Sequence, residues 1–218
     1  MAATGRDGPG AAEWVPEHPR SVAELDDAAQ ACRGCGLFRD ATQAVMGEGP
    51  LKADLLLLGE QPGDREDVEG RPFVGPAGRL LDQALDAAGV ARDRVYRTNA
   101  VKHFRYERRD SKRIHKSPSR WHVAACEPWL LGELELIAPR GVVVLGATAG
   151  QALYGPSFRV GSQRGRRLEW PTGTWPVPRP PEFVVATAHP SSVLRSRQRD
   201  ADLEALVADL GVARQLLT

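Results

Sequence analysis

Four short apolar runs are spaced along the chain, each bordered by glycine, proline or polar residues. They are ADLLLLGE at 53–60, RVYRTNA at 94–100, GVVVLGA at 141–147 and EFVVATAH at 182–189. Continuous apolar runs of this length are typical of strands that are buried on both faces, as in a parallel sheet. The pattern therefore predicts four parallel strands.

Helical periodicity occupies the segments between and around these runs. A helix is predicted to begin near Ser21, because Ser21 and Glu24 form a capping box. Further helices are predicted at 77–89, 119–138, 147–155 and 200–217, and Pro128 is expected to kink the second of these or to start a new segment. Strands that alternate with helices predict an α/β fold, an open sheet with helices on both faces.

An open sheet of this kind binds ligands beyond the carboxyl ends of its strands. Three unusual segments follow the first, second and fourth predicted strands, namely GEQPGDRED (59–67), TNAVKHF (98–104) and HPSSVLR (189–195). A functional site is expected where these segments meet.

Two segments lack clear periodicity. Residues 1–20 are rich in Gly, Ala and Pro and predict a disordered tail, which leaves residues 21–218 as a single domain. Residues 156–181 contain several prolines and two tryptophans, and they predict a loop or an irregular hairpin.

The bulk composition limits the classes of function. With 42% hydrophobic and 26% charged residues, the 218-residue chain has the composition of a globular domain. Its net charge is only +1, so attraction to nucleic acid requires a local basic patch. The chain shows no apolar run long enough for a membrane span and no apolar core of a secretory signal near its first residue, so a cytoplasmic location is expected.

Such a patch is present around RRDSKRIHKSPSR, residues 108–120, where one histidine, His115, lies in the middle. From Lys102 to Arg120, eight cationic residues stand against Glu107 and Asp110, a local net charge of +6. A solvated loop is the ordinary interpretation of such a run. A loop that grips phosphates and a loop that performs chemistry through His115 are the alternatives.

The three cysteines suggest a metal site. Cys32 and Cys35 form a C-x-x-C pair, Cys126 lies far along the chain, and His103 after the second strand is available as a fourth ligand. Zinc is a chemical competitor for three thiolates and one imidazole. A redox C-x-x-C with an unrelated Cys126 is the alternative, although redox pairs usually open a helix after a strand.

A glycine-rich segment, GEQPGDREDVEGRPFVGPAG at 59–78, directly follows the first strand. Its glycines allow the backbone to approach a ligand closely. It lacks the G-K-[ST] ending of a P-loop and contains five acidic residues, which argues against phosphate binding. Phe73 is either a core residue or a stacking surface for a planar ligand such as a flipped base.

This segment, together with TNAVK and HPSS, resembles the uracil-DNA glycosylase superfamily, and most closely its iron–sulfur (family 4) group. This chain has VKH where that group has V-K-C. It also has a basic insert that ends in K-R-I-H. Both features resemble the UdgX-type branch, which bonds covalently to DNA through the histidine of the insert. Ser111 and Lys112 depart from the K-R-R-I-H pattern of that branch. The resemblance covers residues 21 to about 215.

The resemblance implies a three-layer α/β/α sandwich with a central four-stranded parallel sheet. It implies a [4Fe–4S] cluster with a structural role, held by Cys32, Cys35, His103 and Cys126. It also implies a uracil pocket in which Phe73 stacks on the base, Asn99 pairs with its Watson–Crick edge, and His189 donates to a carbonyl. The remaining uracil contacts are expected from the 59–64 loop, through Gly59, Gln61 and Asp64.

By the same resemblance, His115 attacks C1′ of the deoxyribose after uracil departs, and Glu60 takes the imidazole proton or holds its tautomer. The expected partner is uracil-containing DNA, single-stranded, bound by a monomer. The expected DNA-contact residues are Lys112, Arg113, Lys116, Ser191, Ser192 and Arg195. A conventional glycosylase in which His115 only contacts DNA, and a non-catalytic DNA-binding module, are the competing hypotheses.

Overall fold

The computed structural model describes residues 8–218. Its strands are β1 (Leu55–Gly59), β2 (Val95–Asn99), β3 (Tyr106–Arg109), β4 (Lys112–His115), β5 (Gly141–Leu145), β6 (Arg167–Leu168) and β7 (Phe183–Thr187). Its α-helices are α1 (Val22–Gln30), α2 (Asp64–Glu69), α3 (Pro76–Ala87), α4 (Arg120–Ile137), α5 (Ala147–Tyr154), α6 (Val160–Gln163), α7 (Pro190–Leu194) and α8 (Arg199–Gln215). Short 3₁₀ turns occur at Ala12–Trp14, Gly36–Arg39 and Arg92–Arg94.

The central sheet has five strands in the order β2-β1-β5-β7-β6. The four predicted strands are present and all parallel, but the predicted count of four is wrong because β6 adds an antiparallel edge strand to β7. This strand has only two residues and lies in the segment predicted as a loop or irregular hairpin, so it carries no periodicity that sequence inspection could detect.

The predicted three-layer α/β/α arrangement is confirmed. Every residue of β1, β5 and β7 is buried, because helices cover both faces of the sheet. Alternate strand residues such as Leu56 and Val144 pack toward α4 and α5, whereas their neighbours Leu57 and Val143 pack toward α3 and α8. An apolar core therefore lies on each side of the sheet.

Local signals explain where the helices begin and end. The Ser21 hydroxyl accepts from the backbone N–H of Glu24 at 3.1 Å, as the capping box predicted. Proline is the first residue of α3 and of α7, where its missing N–H costs nothing. Pro128 lies inside α4, which continues through it as one helix rather than starting a new segment. No helix among residues 8–218 is long and apolar enough to cross a membrane.

The N-terminal segment packs against the domain from Gly8 onward. Gly10 and Ala11 donate backbone hydrogen bonds to Gly34 and Ala125, at 2.9 and 2.8 Å, and Ala11 is buried. The structure therefore has packed chain at residues 8–20, where the composition predicted a disordered tail; residues 1–7 of that predicted tail lie outside the described residues. Composition missed this packing because single apolar side chains in a Gly- and Pro-rich segment give no periodic signal.

A buried ion pair joins the segment after β2 to α4. Lys102 Nζ lies 2.6 Å from Glu133 Oε2, and neither side chain is exposed by more than 1%. The ammonium also donates to the Thr98 hydroxyl and to the Asn99 carbonyl, at 2.7 and 2.8 Å. Lys102 was counted among the cations of the basic segment, but it adds nothing to the surface charge because it is buried and neutralised by Glu133.

Candidate functional site

Three predicted site residues meet where β1 and β2 end. Gly59 pairs in register with Asn99. A Cβ atom added to Gly59 would lie 2.3 Å from Oδ1 of Asn99 and 2.8 Å from Cζ of Phe73. Only glycine leaves room for the amide and the ring to approach from both sides of this strand end.

The amide of Asn99 is buried, and its Nδ2 has no hydrogen-bond partner within residues 8–218. A buried donor without a partner is costly, so a ligand that supplies an acceptor would be favoured here. Phe73 is buried as well and has φ +59°, a conformation that a bulky residue rarely adopts. Gly78 makes this possible, because a Cβ there would collide with the Phe73 carbonyl.

His189 follows β7 and caps α7. The backbone N–H of Ser191 donates to its Nδ1 at 3.1 Å, and the Ser191 hydroxyl lies 2.8 Å from the same atom. Because a backbone N–H can only donate, Nδ1 carries the lone pair and the neutral ring keeps its proton on Nε2. Burial, with the charges of His115 and Arg195, lowers the pKa of His189 to about 4. At neutral pH this histidine is a fixed, uncharged Nε2–H donor.

His115 and Glu60 face each other, and His115 lies close enough to His189 for its charge to act on that ring. Nε2 of His115 lies 3.6 Å from Oε1 of Glu60, and half of the His115 side chain is exposed. Partial burial lowers the pKa of His115, Glu60 opposes this effect, and Arg195 adds to it. The second carboxylate oxygen of Glu60 accepts a hydrogen bond from the Thr148 hydroxyl at 2.5 Å.

The basic segment forms a β-hairpin, and the predicted loop is therefore wrong. Strands β3 and β4 pair antiparallel with Tyr106 opposite His115, and Asp110 makes the turn with φ +52°. Aspartate tolerates this left-handed conformation better than most residues. The hairpin was missed because most of its side chains are exposed, so no apolar alternation indicates a strand.

The side chain of Gln61 attaches the base of this hairpin to the end of β1. Its Nε2 donates to the carbonyls of Arg105 and Lys116, each at 3.1 Å, and its Oε1 accepts from the Arg105 N–H at 3.1 Å. The side chain was predicted to contact uracil, but in the structure these bonds already occupy both ends of its amide. It holds the hairpin that carries His115.

Arg113 is a second attachment of the hairpin, to α2. Its Nε donates to Asp64 Oδ1 at 2.5 Å and its Nη1 to Asp67 Oδ2 at 2.6 Å. Asp67 is fully buried and also accepts from the Thr42 N–H at 3.0 Å. Arg113 was predicted to bind DNA and Asp64 to bind uracil, whereas in the structure these two side chains bind each other.

The other predicted DNA contacts lie at the surface near His115. Lys112 and Arg195 are exposed. Lys116 is paired with Glu107 across the hairpin at 2.7 Å. Ser192 is exposed and donates to the His189 carbonyl at 2.7 Å, while Ser191 is half-buried beside the His189 ring. The basic surface is thus smaller than the sequence count implied, because Lys102, Arg113 and Lys116 are neutralised within the fold.

The three cysteines lie close together, Cys126 within α4 and the other two in the segment that follows α1. All three are buried, and Cys32 and Cys126 belong to the same apolar cluster. Burial raises the pKa of the Cys126 thiol to about 12, and both other cysteines contribute to the shift, which places them near it. Burial lowers the pKa of His103 to about 4, and Arg33, within the C-x-x-C, contributes.

These residues fit a thiolate-ligated group in their chemistry and placement. Backbone and indole N–H groups already point at two of the sulfurs, from Lys102 to Cys126 at 3.2 Å and from Trp129 to Cys32 at 3.4 Å. Such donors stabilise thiolate sulfur in metal centres. Across residues 8–218, however, no group of three or more His, Cys, Asp and Glu side chains is already arranged to hold a metal ion.

Sequence inspection missed Thr148, which lies in the first turn of α5. The segments after the first, second and fourth strands were recognised as unusual, but GATAG after the third was not. Its only signal in the sequence was its place directly after a parallel strand, because all parallel strands of such a sheet end at the edge where ligands bind.

Comparisons with known proteins agree on one family. The family model described as "Uracil DNA glycosylase superfamily" matches residues 46–211. A protein of Thermotoga maritima named Type-4 uracil-DNA glycosylase is 36% identical over 170 residues, which are 78% of this chain and 81% of the relative. Proteins with the same name from Sulfurisphaera tokodaii and Pyrobaculum aerophilum are 34% and 35% identical, over 80% and 79% of this chain and 76% and 84% of their own.

Proposed function

The chain belongs to the uracil DNA glycosylase superfamily, and we propose that it removes uracil from DNA and then bonds covalently to the deoxyribose through His115. Its relatives are named as uracil-DNA glycosylases, which supports the excision step. The observation that carries the covalent step is the position of His115, whose imidazole faces the carboxylate of Glu60 beside the base pocket at 3.6 Å.

Uracil recognition is assigned to the Phe73 ring and to the two ends of the Asn99 amide. The Phe73 ring offers a stacking surface, and the unpaired Nδ2 of Asn99 donates to a carbonyl while its Oδ1 accepts from the uracil N3–H. Cytosine lacks that N3–H and would leave the Asn99 oxygen facing another acceptor. Loss of such a buried hydrogen bond gives strong discrimination.

Bond cleavage requires stabilisation of two charges. Uracil leaves with the electron pair of the N1–C1′ bond, so negative charge grows on its carbonyls while C1′ becomes positive. The Nε2–H of His189 is preorganised to donate to the growing charge, since Nδ1 is held by Ser191. A neutral donor is suited to this role, because it does not bind the uncharged base tightly before the reaction.

The covalent step then balances without water. A lone pair on one imidazole nitrogen of His115 forms the bond to C1′, and the proton on the other nitrogen is lost. Glu60 is placed to receive that proton. The uracil anion gains one proton overall, so an imidazole and a deoxyuridine become an imidazolyl sugar and free uracil. The lowered pKa of His115 keeps its ring neutral and nucleophilic.

A [4Fe–4S] cluster is the cofactor proposed for Cys32, Cys35, His103 and Cys126. Bound there, it would supply a covalent link between the N-terminal segment, the end of β2 and α4, with no redox step in the reaction. Its ligands would hold in place the stretch that leads from Asn99 into the hairpin, and thereby the distance from the base pocket to His115.

The DNA strand is proposed to run across the exposed basic residues near His115. Lys112 and Arg195 are exposed and can contact phosphates, with Ser191 and Ser192 beside the pocket. We propose single-stranded DNA as the preferred form and a monomer as the active species. An exposed hairpin and an open strand-end pocket favour a strand whose bases need no unpairing.

A conventional, multiple-turnover glycosylase is the second candidate. It is favoured by the exposure of His115, half of which is open to water, and by a distance to Glu60 that exceeds a hydrogen bond. In that case Glu60 would orient a water molecule toward C1′, and His115 would contact the DNA backbone.

The two candidates differ in one readout. The protein is mixed with a uracil-containing single-stranded oligonucleotide, boiled in SDS and run on a denaturing gel, with released uracil measured in parallel. A shifted, boiling-resistant band that disappears with His115→Ala and with a thymine oligonucleotide supports the covalent function. Uracil release without that band supports the conventional one. Release of no uracil at all contradicts both and favours a DNA-binding module.

A further inference from the structure

The carboxylate of Glu60 is held by a residue that belongs to a different strand connection. Thr148 is the second residue of α5, and its hydroxyl donates to Oε2 of Glu60 at 2.5 Å. The start of α5 is itself fixed, because the N–H of Gly146 donates to the Thr187 carbonyl at 2.9 Å. A Cβ at Gly146 would lie 2.9 Å from Cβ of His189, so this turn also packs against the base pocket.

The two oxygens of Glu60 therefore have different environments. Oε2 has the Thr148 hydroxyl, whereas Oε1 is buried without a hydrogen-bond partner in the part of the chain that the structure describes. Oε1 faces the His115 imidazole, whose Nε2 lies 3.6 Å away. A buried carboxylate oxygen without a partner is unusual, and it suggests an atom kept available for a step of the reaction.

We propose that Thr148 is a positioning residue, which orients the Glu60 carboxylate so that Oε1 is the oxygen presented to His115. This inference rests on the proposed covalent function. The terminal torsion of a glutamate is broad, so its carboxylate turns easily unless a donor holds one oxygen. The hydroxyl hydrogen bond supplies that restraint, and the N-terminal end of α5 adds a favourable dipole for the charged form.

Removal of the Thr148 hydroxyl should therefore slow the covalent step without lowering the affinity for DNA. Thr148 is half-buried, and valine has the same β-branched shape as threonine, so Thr148→Val removes one donor and little packing. Loss of a hydrogen bond to a charged group corresponds to about a 10- to 100-fold fall in the maximal rate of adduct formation. Thr148→Ser keeps the donor and should restore the rate to within about 3-fold of the parent, since only a methyl group is lost.

The test measures adduct formation over time on denaturing gels, with the full-length protein in excess over a uracil-containing single-stranded oligonucleotide. Rates at a series of protein concentrations separate the maximal rate from the half-saturating concentration. Thermal unfolding of each variant is followed in parallel, and Thr148→Ala replaces Thr148→Val if the valine variant does not fold. We expect a lower maximal rate, an unchanged half-saturating concentration, and rescue by serine.

Each other outcome overturns a specific statement. If the parent forms the adduct and Thr148→Val forms it equally fast, Thr148 does not position Glu60 and only this inference fails. If serine is as slow as valine, packing of the methyl group is responsible and the hydrogen-bond argument is wrong. If the parent releases uracil with no boiling-resistant band, the proposed covalent function fails, and the role of Thr148 fails with it.

Discussion

Replacement of Gln61 by alanine should separate uracil excision from adduct formation. The Gln61 amide makes three hydrogen bonds to the base of the β3–β4 hairpin, with Arg105 and Lys116. It makes none to the groups that surround the base, such as Asn99 and Phe73, in the described part of the chain. The substitution therefore acts on the position of His115 and leaves the uracil pocket intact.

The magnitude follows from these three bonds. Each contributes about 1 kcal/mol net, so their loss weakens attachment of the hairpin by about 3 kcal/mol. A two-stranded hairpin is marginally stable by itself and depends on such attachments. If the full amount acts on the placement of His115, adduct formation slows by about 100-fold. Uracil release, which is proposed to depend on Asn99 and His189, should change by less than about 3-fold.

Gln61→Glu is a sharper version of the same test. The substituted carboxylate places an oxygen where the amide donates to two carbonyl oxygens, so two attractions become repulsions. Adduct formation should therefore fall further than with alanine, although the glutamate is closer to glutamine in size. Arg140→Ala is a matched control for global stability, since Arg140 binds the Leu217 carbonyl and Glu182 at the opposite edge of the sheet.

The assay follows uracil release and the boiling-resistant band from the same time course. The reasoning is refuted if both Gln61 variants form adduct at the parental rate, because the hairpin would then be held without the amide. It is also refuted if release and adduct fall together while Arg140→Ala leaves both unchanged. In that case Gln61 would act on the base pocket, as the sequence suggested.

Three further predictions concern charge and stability. Lys102→Met should lower the free energy of unfolding in urea by about 3–5 kcal/mol, because it leaves the Glu133 carboxyl buried without its partner. As the pH falls from about 6.5 to about 4, the free energy of unfolding should fall by about 3 kcal/mol, because His189 binds a proton in the unfolded chain before it does so in the folded one. His189→Asn should reduce this pH dependence, as measured by urea unfolding at a series of pH values. Lys112→Ala should reduce by about 1 the slope of log K against log salt concentration for binding of single-stranded DNA, measured by fluorescence anisotropy. Replacement of Lys52, which is exposed at the other end of the sheet, should leave this slope unchanged.

The sheet, and the edge of it at which the candidate site lies, could be predicted because both depend on local signals. The apolar runs at β1, β2, β5 and β7 have no alternation, which indicates burial on both faces, and the helices between them require parallel pairing. Parallel strands end at one edge, so Gly59, Asn99 and His189 had to lie along the same edge of the sheet. These residues follow from chain order and strand direction alone.

The attachments of the hairpin could not be predicted in this way. Gln61 lies 44 residues from Arg105, and Arg113 lies 46 residues from Asp67, so neither pair leaves a pattern in a short window of sequence. Polar residues near a ligand site were interpreted as ligand contacts, whereas in the structure they satisfy backbone groups and charges of the fold. The same ambiguity applies to Lys102, whose charge appeared to belong to the surface until its partner in α4 was known.

The two halves of the proposed reaction consequently depend on structure of different stability. Asn99 and His189, which are proposed to contact uracil, follow largely buried strands, whereas His115 lies on an exposed hairpin held by polar contacts to Gln61, Asp64 and Asp67. Elements with few buried apolar contacts open locally at lower free energy than the core. Opening of the hairpin would leave the base pocket assembled and admit water to C1′, so a covalent enzyme of this design should yield abasic DNA as its characteristic side product. The ratio of abasic site to adduct then reports how firmly the hairpin is held, and it should rise with every contact removed from the hairpin base.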